Sequence, residues 1–185
     1  MQNVNNIVRI GKEACCGCSA CAACCPVGAI DMRADFEGYL YPQVDPERCT
    51  HCGLCLRTCR NLSFYTAPQT VYACRSRDTG LRARSSSGGA FTALARQVIA
   101  RGGYVCGAGY VDGCGEVRHL LARDETALDN LRRSKFVQST KYDIYKTVKT
   151  LLDQGAEVLF TGTPCEAGGT GNICAGSTQA SLPAT

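Results

Sequence analysis

The sequence predicts a small α+β unit followed by an α/β domain, and two observations carry that expectation. The run C-x2-C-x2-C-x3-C occurs twice between Cys15 and Cys59, each member of the second copy standing 34 residues after its counterpart in the first. From residue 67 the clustered cysteines stop, and apolar patterns of strand period and helix period alternate in their place.

The first copy comprises Cys15, Cys18, Cys21 and Cys25, the second Cys49, Cys52, Cys55 and Cys59. Gaps of two residues wrap the backbone round one inorganic cube, so that three thiolates cap three of its irons. The fourth cysteine, three residues on, is carried to the other cube. This is the run of bacterial ferredoxins with two 4Fe-4S clusters. It assigns Cys15, Cys18, Cys21 and Cys59 to one cluster and Cys49, Cys52, Cys55 and Cys25 to the other. A disulfide scaffold needs an oxidising compartment, and the opening MQNVNNIVRI has neither the basic start nor the apolar core of an export signal. Paired C-x2-C units also hold zinc, but zinc takes four ligands with a longer gap between the pairs. A zinc-binding interaction module is the weaker alternative. Cys16 and Cys24 lie off the run, as packing residues or alternate thiols.

Residues 1–66 form the ferredoxin-type 2x(4Fe-4S) domain. Ile7, Val8 and Ile10 suit a short edge strand, Pro26 suits the first turn of a helix over PVGAI, and AIDMRA with YLYPQV reads as a hairpin. Such a unit has little apolar core, so its folding leans on the metal centres and the apo form is expected to be unfolded or molten. Arg60 stands where the first copy has Pro26. It is either a cation beside the clusters, raising a potential by favouring the more negative reduced state, or a solvent-facing arginine.

Residues 67–167 form the second domain, entered through a linker at Ala67 and Pro68. VYACRS (71–76) reads as a buried strand. AFTALARQVIARGG follows as a helix with Phe91, Leu94, Val98 and Ile99 at helical spacing, ended by Gly102 and Gly103. YVCGAGYV and EVRHLLAR are strands, DETALDNLRR is a short helix capped by Asp124, YDIYKTVKTLLDQG is an amphipathic helix, and EVLFTGTPC is a strand running into a turn. The alternation implies a largely parallel sheet. Ser86, Ser87, Gly88 and Gly89 stand at a helix start, where amides and hydroxyls hold phosphate or where a serine simply caps the helix. Lys135, with Ser134, Gln138 and Ser139, is a cation among donors or a solvated loop. Thr161 to Cys165 follows the carboxyl end of a strand, where open α/β sheets place ligands. Gly107 and Gly109 are only a fragment of a glycine fingerprint. No catalytic residue is singled out.

The chain has 185 residues, 15 of them cysteine, and a formal net charge of +4. Eight bound thiolates and two oxidised cores contribute about −4 together, which leaves the loaded protein near neutral and gives no reason to expect nucleic acid. No apolar run approaches the length of a membrane span, so no direct membrane insertion is expected. Thiols kept for metal fit the reducing cytoplasm.

The words SSSGGAFTALA, RGGYVCGAGY, SKFVQS and LFTGTPC, placed after a double cysteine run, resemble the coenzyme F420 hydrogenase/dehydrogenase beta-subunit family from about Cys15 to Glu166. The resemblance implies a flavoprotein subunit. In it FAD exchanges a hydride with coenzyme F420 or NAD(P)H and single electrons with the clusters, within a larger oxidoreductase complex or with a redox partner protein. Ser86, Ser87, Gly88 and Gly89 then hold a flavin phosphate, and Lys135 neutralises a phosphate or stabilises reduced flavin. Members of that family continue well beyond GTPC. An incomplete α/β domain is therefore expected here, with an open sheet edge near Val158 to Phe160. Residues 168–185 are expected to be a disordered or aberrant tail. A non-catalytic, ferredoxin-like electron carrier is the alternative reading.

Overall fold

The computed structural model describes residues 5–62, 70, 72–111, 113, 115–141 and 143–175. Over these residues the chain divides into two compact units. The first is drawn from Met1–Thr66, Lys141–Lys149 and Gly162–Gly176, the second from Ala67–Thr140, Thr150–Thr161 and Ser177–Thr185. Two late segments thus join the first unit, which the boundaries 1–66, 67–167 and 168–185 do not anticipate. The linker at Ala67 and Pro68, the residue Val71 and the tail from 176 lie outside the described residues.

The first unit opens not on the expected edge strand but on a short 3-10 helix, Ile7–Ile10. The Asn6 carboxamide oxygen accepts from Val8 N at 3.1 Å and so caps it, and Gly11, at φ 70°, ends it. The two cysteine loops have the same backbone form. Gly17 and Ser19 lie at φ 62° and 66°, and His51 and Gly53, each 34 residues later, at 52° and 72°. Each loop then enters one short helix, α1 (Ala20–Ala23) or α2 (Leu54–Thr58). Left-handed serine and histidine are strained, and such conformations persist where the surroundings demand them.

No helix forms over PVGAI. Gly28, at φ 59°, turns the chain, its N–H donating to Cys25 O at 3.2 Å, and β1 (Ile30–Ala34) starts two residues later. The expected hairpin is present: β1 pairs antiparallel with β2 (Leu40–Val44), from Ile30 opposite Val44 to Ala34 opposite Leu40. Asp35 closes its turn by accepting from Glu37 N and Tyr39 N, and Lys12 holds Asp35 at 2.7 Å. Ile7, Cys21, Ile30 and Cys55 form the buried core, with Ile10, Val44 and further cysteines packed against it.

In the second unit α3 (Thr79–Ala83) is capped by Asp78, and α4 (Ala90–Ala100) buries Ala95 and Val98 with Phe91 and Ile99 beside them. Leu94, expected on that stripe, is 54% exposed and belongs to the other face. The described residues 72–76 form no strand. The sheet runs β4 (Glu116–Ala122), β3 (Tyr104–Val111), β5 (Val158–Phe160), with β3–β4 antiparallel and β3–β5 parallel, so it is mixed rather than largely parallel. Only residues 112–115 join β3 to β4, too few for a crossover. The helix after this strand pair, α5 (Glu125–Leu131), starts where expected, Asp124 accepting from Ala127 N at 2.8 Å.

Gly107 and Gly109 are packing glycines of β3. A Cβ on Gly107 would lie 2.8 Å from Thr161 Oγ1, and one on Gly109 would lie 2.9 Å from Leu120 and 3.1 Å from Asn130 and Leu131. Beyond the end of β5, Asn130 takes the place of a strand against Tyr110, its amide donating to Tyr110 O at 2.8 Å and accepting from Tyr110 N at 3.0 Å.

Helix α6 (Ile144–Asp153) buries Tyr145, Val148 and Leu152 along one face. Residues 168–174, expected to be irregular, are helical as well. They belong to α7 (Pro164–Cys174), which starts with Pro164, a capping box of Thr163 and Glu166, and no apolar stripe. Close backbone approach replaces the stripe: a Cβ on Gly169 would stand 2.6 Å from Ala20 Cβ, and one on Gly168 would stand 2.7 Å from the Arg60 stem. Lys141 and Glu166 form a buried ion pair at the start of α7.

Candidate metal centre

Each C-x2-C-x2-C loop reaches its cysteines through two left-handed residues, 17 and 19 or 51 and 53. Alternating hands turn successive backbone N–H groups toward the inside of the loop, forming a concave nest of positive partial charge that suits an anionic cluster. The first loop opens onto a cavity lined by Cys15, Cys18 and Cys21 together with Cys59 of the second run. The second opens onto a cavity lined by Cys49, Cys52 and Cys55 together with Cys25 of the first run. Each cavity thus draws cysteines from both runs, three from its own loop's run and one from the other. Cys21 and Cys55, one from each cavity, are buried in the same apolar core with Ile7 and Ile30.

Donors surround the sulfurs. Gly17 N donates to Cys15 Sγ at 3.4 Å, Ala29 N to Cys25 Sγ at 3.3 Å, and Asn6 Nδ2 to Cys49 Sγ at 3.6 Å. The loops are also held from behind: Asn5 Nδ2 donates to His51 O at 2.9 Å, and the fully buried Tyr145 gives its hydroxyl proton to Cys18 O at 2.7 Å. Burial pushes the Cys15, Cys21 and Cys55 thiols up, whereas the Leu54 amide pulls Cys52 down. Iron binds thiolate, so loading this site releases protons. The four run cysteines that line each cavity, backed by amides, are a donor set that fits a 4Fe-4S cluster.

The two cavities differ. The first is also lined by Cys16, Cys165, Arg60 and Asn61. Arg60 is half-buried there, the cation beside a cluster site rather than a solvent-facing residue. Asn61 Nδ2 donates to Cys16 Sγ at 3.2 Å and to Ala14 O. Cys165 receives hydrogen bonds from Cys18, Thr163 and Cys16, which pull its thiol down, and the bond to Cys165 with burial pushes Cys18 up. Cys165 was legible only as the end of GTPC in a loop of the other domain; nothing in its spacing ties it to Cys18. Cys24 lies outside both linings, its thiol donating to Cys21 O at 3.3 Å.

The flavin candidates lie in the second unit. Ser86 and Ser87 are exposed, and neither caps α4: the cap position is Gly89, at φ 80°, with no side-chain bond to the helix. Ser85 gives its hydroxyl to Leu81 O at 2.8 Å, and Gly88 O accepts from Ser76 N at 2.7 Å. Lys135 is half-buried with its ammonium on the carbonyls that end α5, Asn130 O at 2.8 Å, Arg132 O at 2.6 Å and Arg133 O at 3.2 Å. That placement serves the negative end of the helix, and desolvation lowers its pKa. Arg133 rather than Lys135 approaches the serine-glycine segment, its Nε donating to Arg84 O at 3.4 Å.

Residues 14–61 match the family model of the 4Fe-4S dicluster domain. Over 78 residues, 40% of this chain, the sequence is 36% identical to one subunit of the Na(+)-translocating ferredoxin:NAD(+) oxidoreductase complex of Acetobacterium woodii. Over 57 residues, 26% of this chain, it is 35% identical to NADH-quinone oxidoreductase subunit I of Pelobacter propionicus. The matches span 22% and 31% of those two relatives. Among the described residues no helix is long and apolar enough to cross a membrane. The chain thus carries, in residues 14–61, a 4Fe-4S dicluster ferredoxin domain, and the relatives that match it are oxidoreductase subunits.

Proposed function

We propose that this chain is an electron-relay subunit of a larger oxidoreductase, working with a redox partner protein in a reducing compartment such as the cytoplasm. Cys15, Cys18, Cys21 and Cys59 hold one 4Fe-4S cluster, and Cys49, Cys52, Cys55 and Cys25 hold the other. The observation that carries this is the division of the eight cysteines between two cavities in crossed sets. A bound cluster supplies one-electron uptake and release at nearly fixed geometry. The chain's own part is to hold the thiolates, to aim Gly17 N, Ala29 N and Asn6 Nδ2 at sulfur, and to keep the Cys21–Cys55 wall dry. Anaerobically purified protein should contain about eight irons and eight labile sulfides, and its visible absorption should bleach with dithionite. Zinc without sulfide would refute the reading.

A finer reading makes the chain a flavin-dependent beta subunit, passing electrons between a hydride carrier, coenzyme F420 or NAD(P)H, and the clusters. It draws support from the loop words and from the start of α4. There Gly89 leaves the first amides without a side-chain cap, next to exposed Ser86 and Ser87. Ser86, Ser87, Gly88 and Gly89 would meet the flavin phosphate. Lys135 would act only after leaving the α5 carbonyls. Cluster signals without stoichiometric flavin would leave the relay reading standing and end this one.

A further inference from the structure

Four thiols line the second cavity and six line the first, where Cys16 and Cys165 stand beside the expected Cys15, Cys18, Cys21 and Cys59. A cube with four irons needs four thiolates. The surplus is unequal in quality. Cys16 is exposed, and its sulfur is engaged by Asn61 Nδ2 at 3.2 Å. Cys165 is half-buried in the second position of α7 and hydrogen-bonded to Cys18. Its place is fixed by several independent contacts. Thr163 Oγ1 lies 3.1 Å from its sulfur, Glu166 Oε2 accepts from Thr163 N at 2.7 Å, Lys141 pairs with Glu166, and Gly169 lets α7 approach Ala20 of the first loop's helix.

We propose that Cys165 is a reserve ligand of the first cluster, positioned to take over the iron held by Cys18. This rests on the reading that a cluster occupies the first cavity. In the exchange the bond from iron to Cys18 Sγ breaks and a bond from iron to Cys165 Sγ forms. The proton of the Cys165 thiol passes to Cys18, and no electron is transferred. With iron on Cys18 the donor is reversed: Cys18 then has no proton to give, and the Cys165 thiol hands its own across the contact between the two sulfurs in the first cavity. The second cluster has no such reserve among its lining residues. Its equivalent of Cys18 is Cys52, an exposed residue.

The test compares iron and labile sulfide in the full chain, prepared without oxygen, for the native protein and for Cys18→Ala, Cys52→Ala and Cys18→Ala/Cys165→Ala. Cys18→Ala should keep about eight irons, whereas Cys52→Ala and the double variant should fall to about four. Loss of half the iron in Cys18→Ala overturns the proposal. So does retention of full iron in the double variant, which would assign the reserve role to Cys16. If Cys18→Ala does not accumulate, Cys165→Ala decides. It should be loaded normally but lose about half its iron to a chelator several-fold faster than the native chain, and equal rates overturn the proposal. Native protein without iron and sulfide would instead overturn the cluster reading itself.

Discussion

The Lys141–Glu166 pair offers the sharpest test of how α7 is anchored. Lys141 is 1% exposed at its side chain and Glu166 9%, so water screens the pair little. In Lys141→Met the Glu166 carboxylate keeps the Thr163 amide at 2.7 Å but loses its cation. Stripping one member from a buried pair costs about 3–5 kcal/mol if the remaining charge persists. The carboxylate has an escape, because an ordinary one takes up a proton at pH 7 for about 3.7 kcal/mol and at pH 6 for about 2.3 kcal/mol. The cheaper route sets the cost. In the variant the folded state then binds a proton that the opened state releases, so the deficit grows as pH rises. Amide hydrogen exchange in α7 reads it directly. After correction for intrinsic rates, the variant should exchange about 500-fold faster than the native chain at pH 7 and about 50-fold faster at pH 6. An acceleration equal at both pH values, or under about tenfold at both, would refute the reasoning.

Two further predictions follow from the same geometry. Cys25→Ala, although in the first run, should deplete the cluster of the second loop. Mössbauer or electron paramagnetic resonance of that variant should match Cys49→Ala and differ from Cys15→Ala. Gly88→Ala would set a Cβ 2.6 Å from the Cys74 carbonyl oxygen, which only a backbone shift relieves; chemical denaturation should register a loss of about 1–3 kcal/mol. Ser87→Ala at the exposed neighbouring position should stay within about 0.5 kcal/mol of the native chain.

What the sequence disclosed and what it hid divide by the range of the interaction. The cysteine spacing disclosed two like loops because the x2 gaps are local constraints, repeated down to the left-handed residues at 17 and 51 and at 19 and 53. Asp124, the hairpin and the stripe of α4 were legible for the same reason. The failures arose where a distant partner decided. PVGAI is a local exception, turned by its own Gly28, whereas in VYACRS Ser76 N donates to Gly88 O and the described residues form no strand. The glycines of α7 looked like disorder because their function is close approach to Ala20 and Arg60, which leaves no apolar period. Cys165 looked like a sheet-end residue because its neighbour, Cys18, is far away in the chain. Lys135 resembled a free cation, yet its partners are carbonyls, which a sequence does not distinguish.

Alike in backbone, the two loops differ in the charges beside them, and this bears on where electrons rest. Arg60 lines the first cavity and is half-buried, its stem packed at Gly168 of α7. The second loop also has a cation, Arg57, which donates to Cys52 O at 3.3 Å but is exposed. Screening by water and salt weakens an exposed charge far more than a partly buried one. A cation favours the more negative, reduced state of a cluster, so Arg60 should raise the first potential more than Arg57 raises the second. Electrons would then settle on the first cluster and leave from it, on the side where Cys165 also stands. Anaerobic redox titration followed by electron paramagnetic resonance can compare Arg60→Gln with Arg57→Gln. The first substitution should lower one of the two midpoints clearly and leave the other nearly unchanged, and the second should move either midpoint less. Equal shifts from both substitutions, or none from Arg60→Gln, would mean that the amides about the sulfurs, and not the flanking cations, set the difference between the two sites.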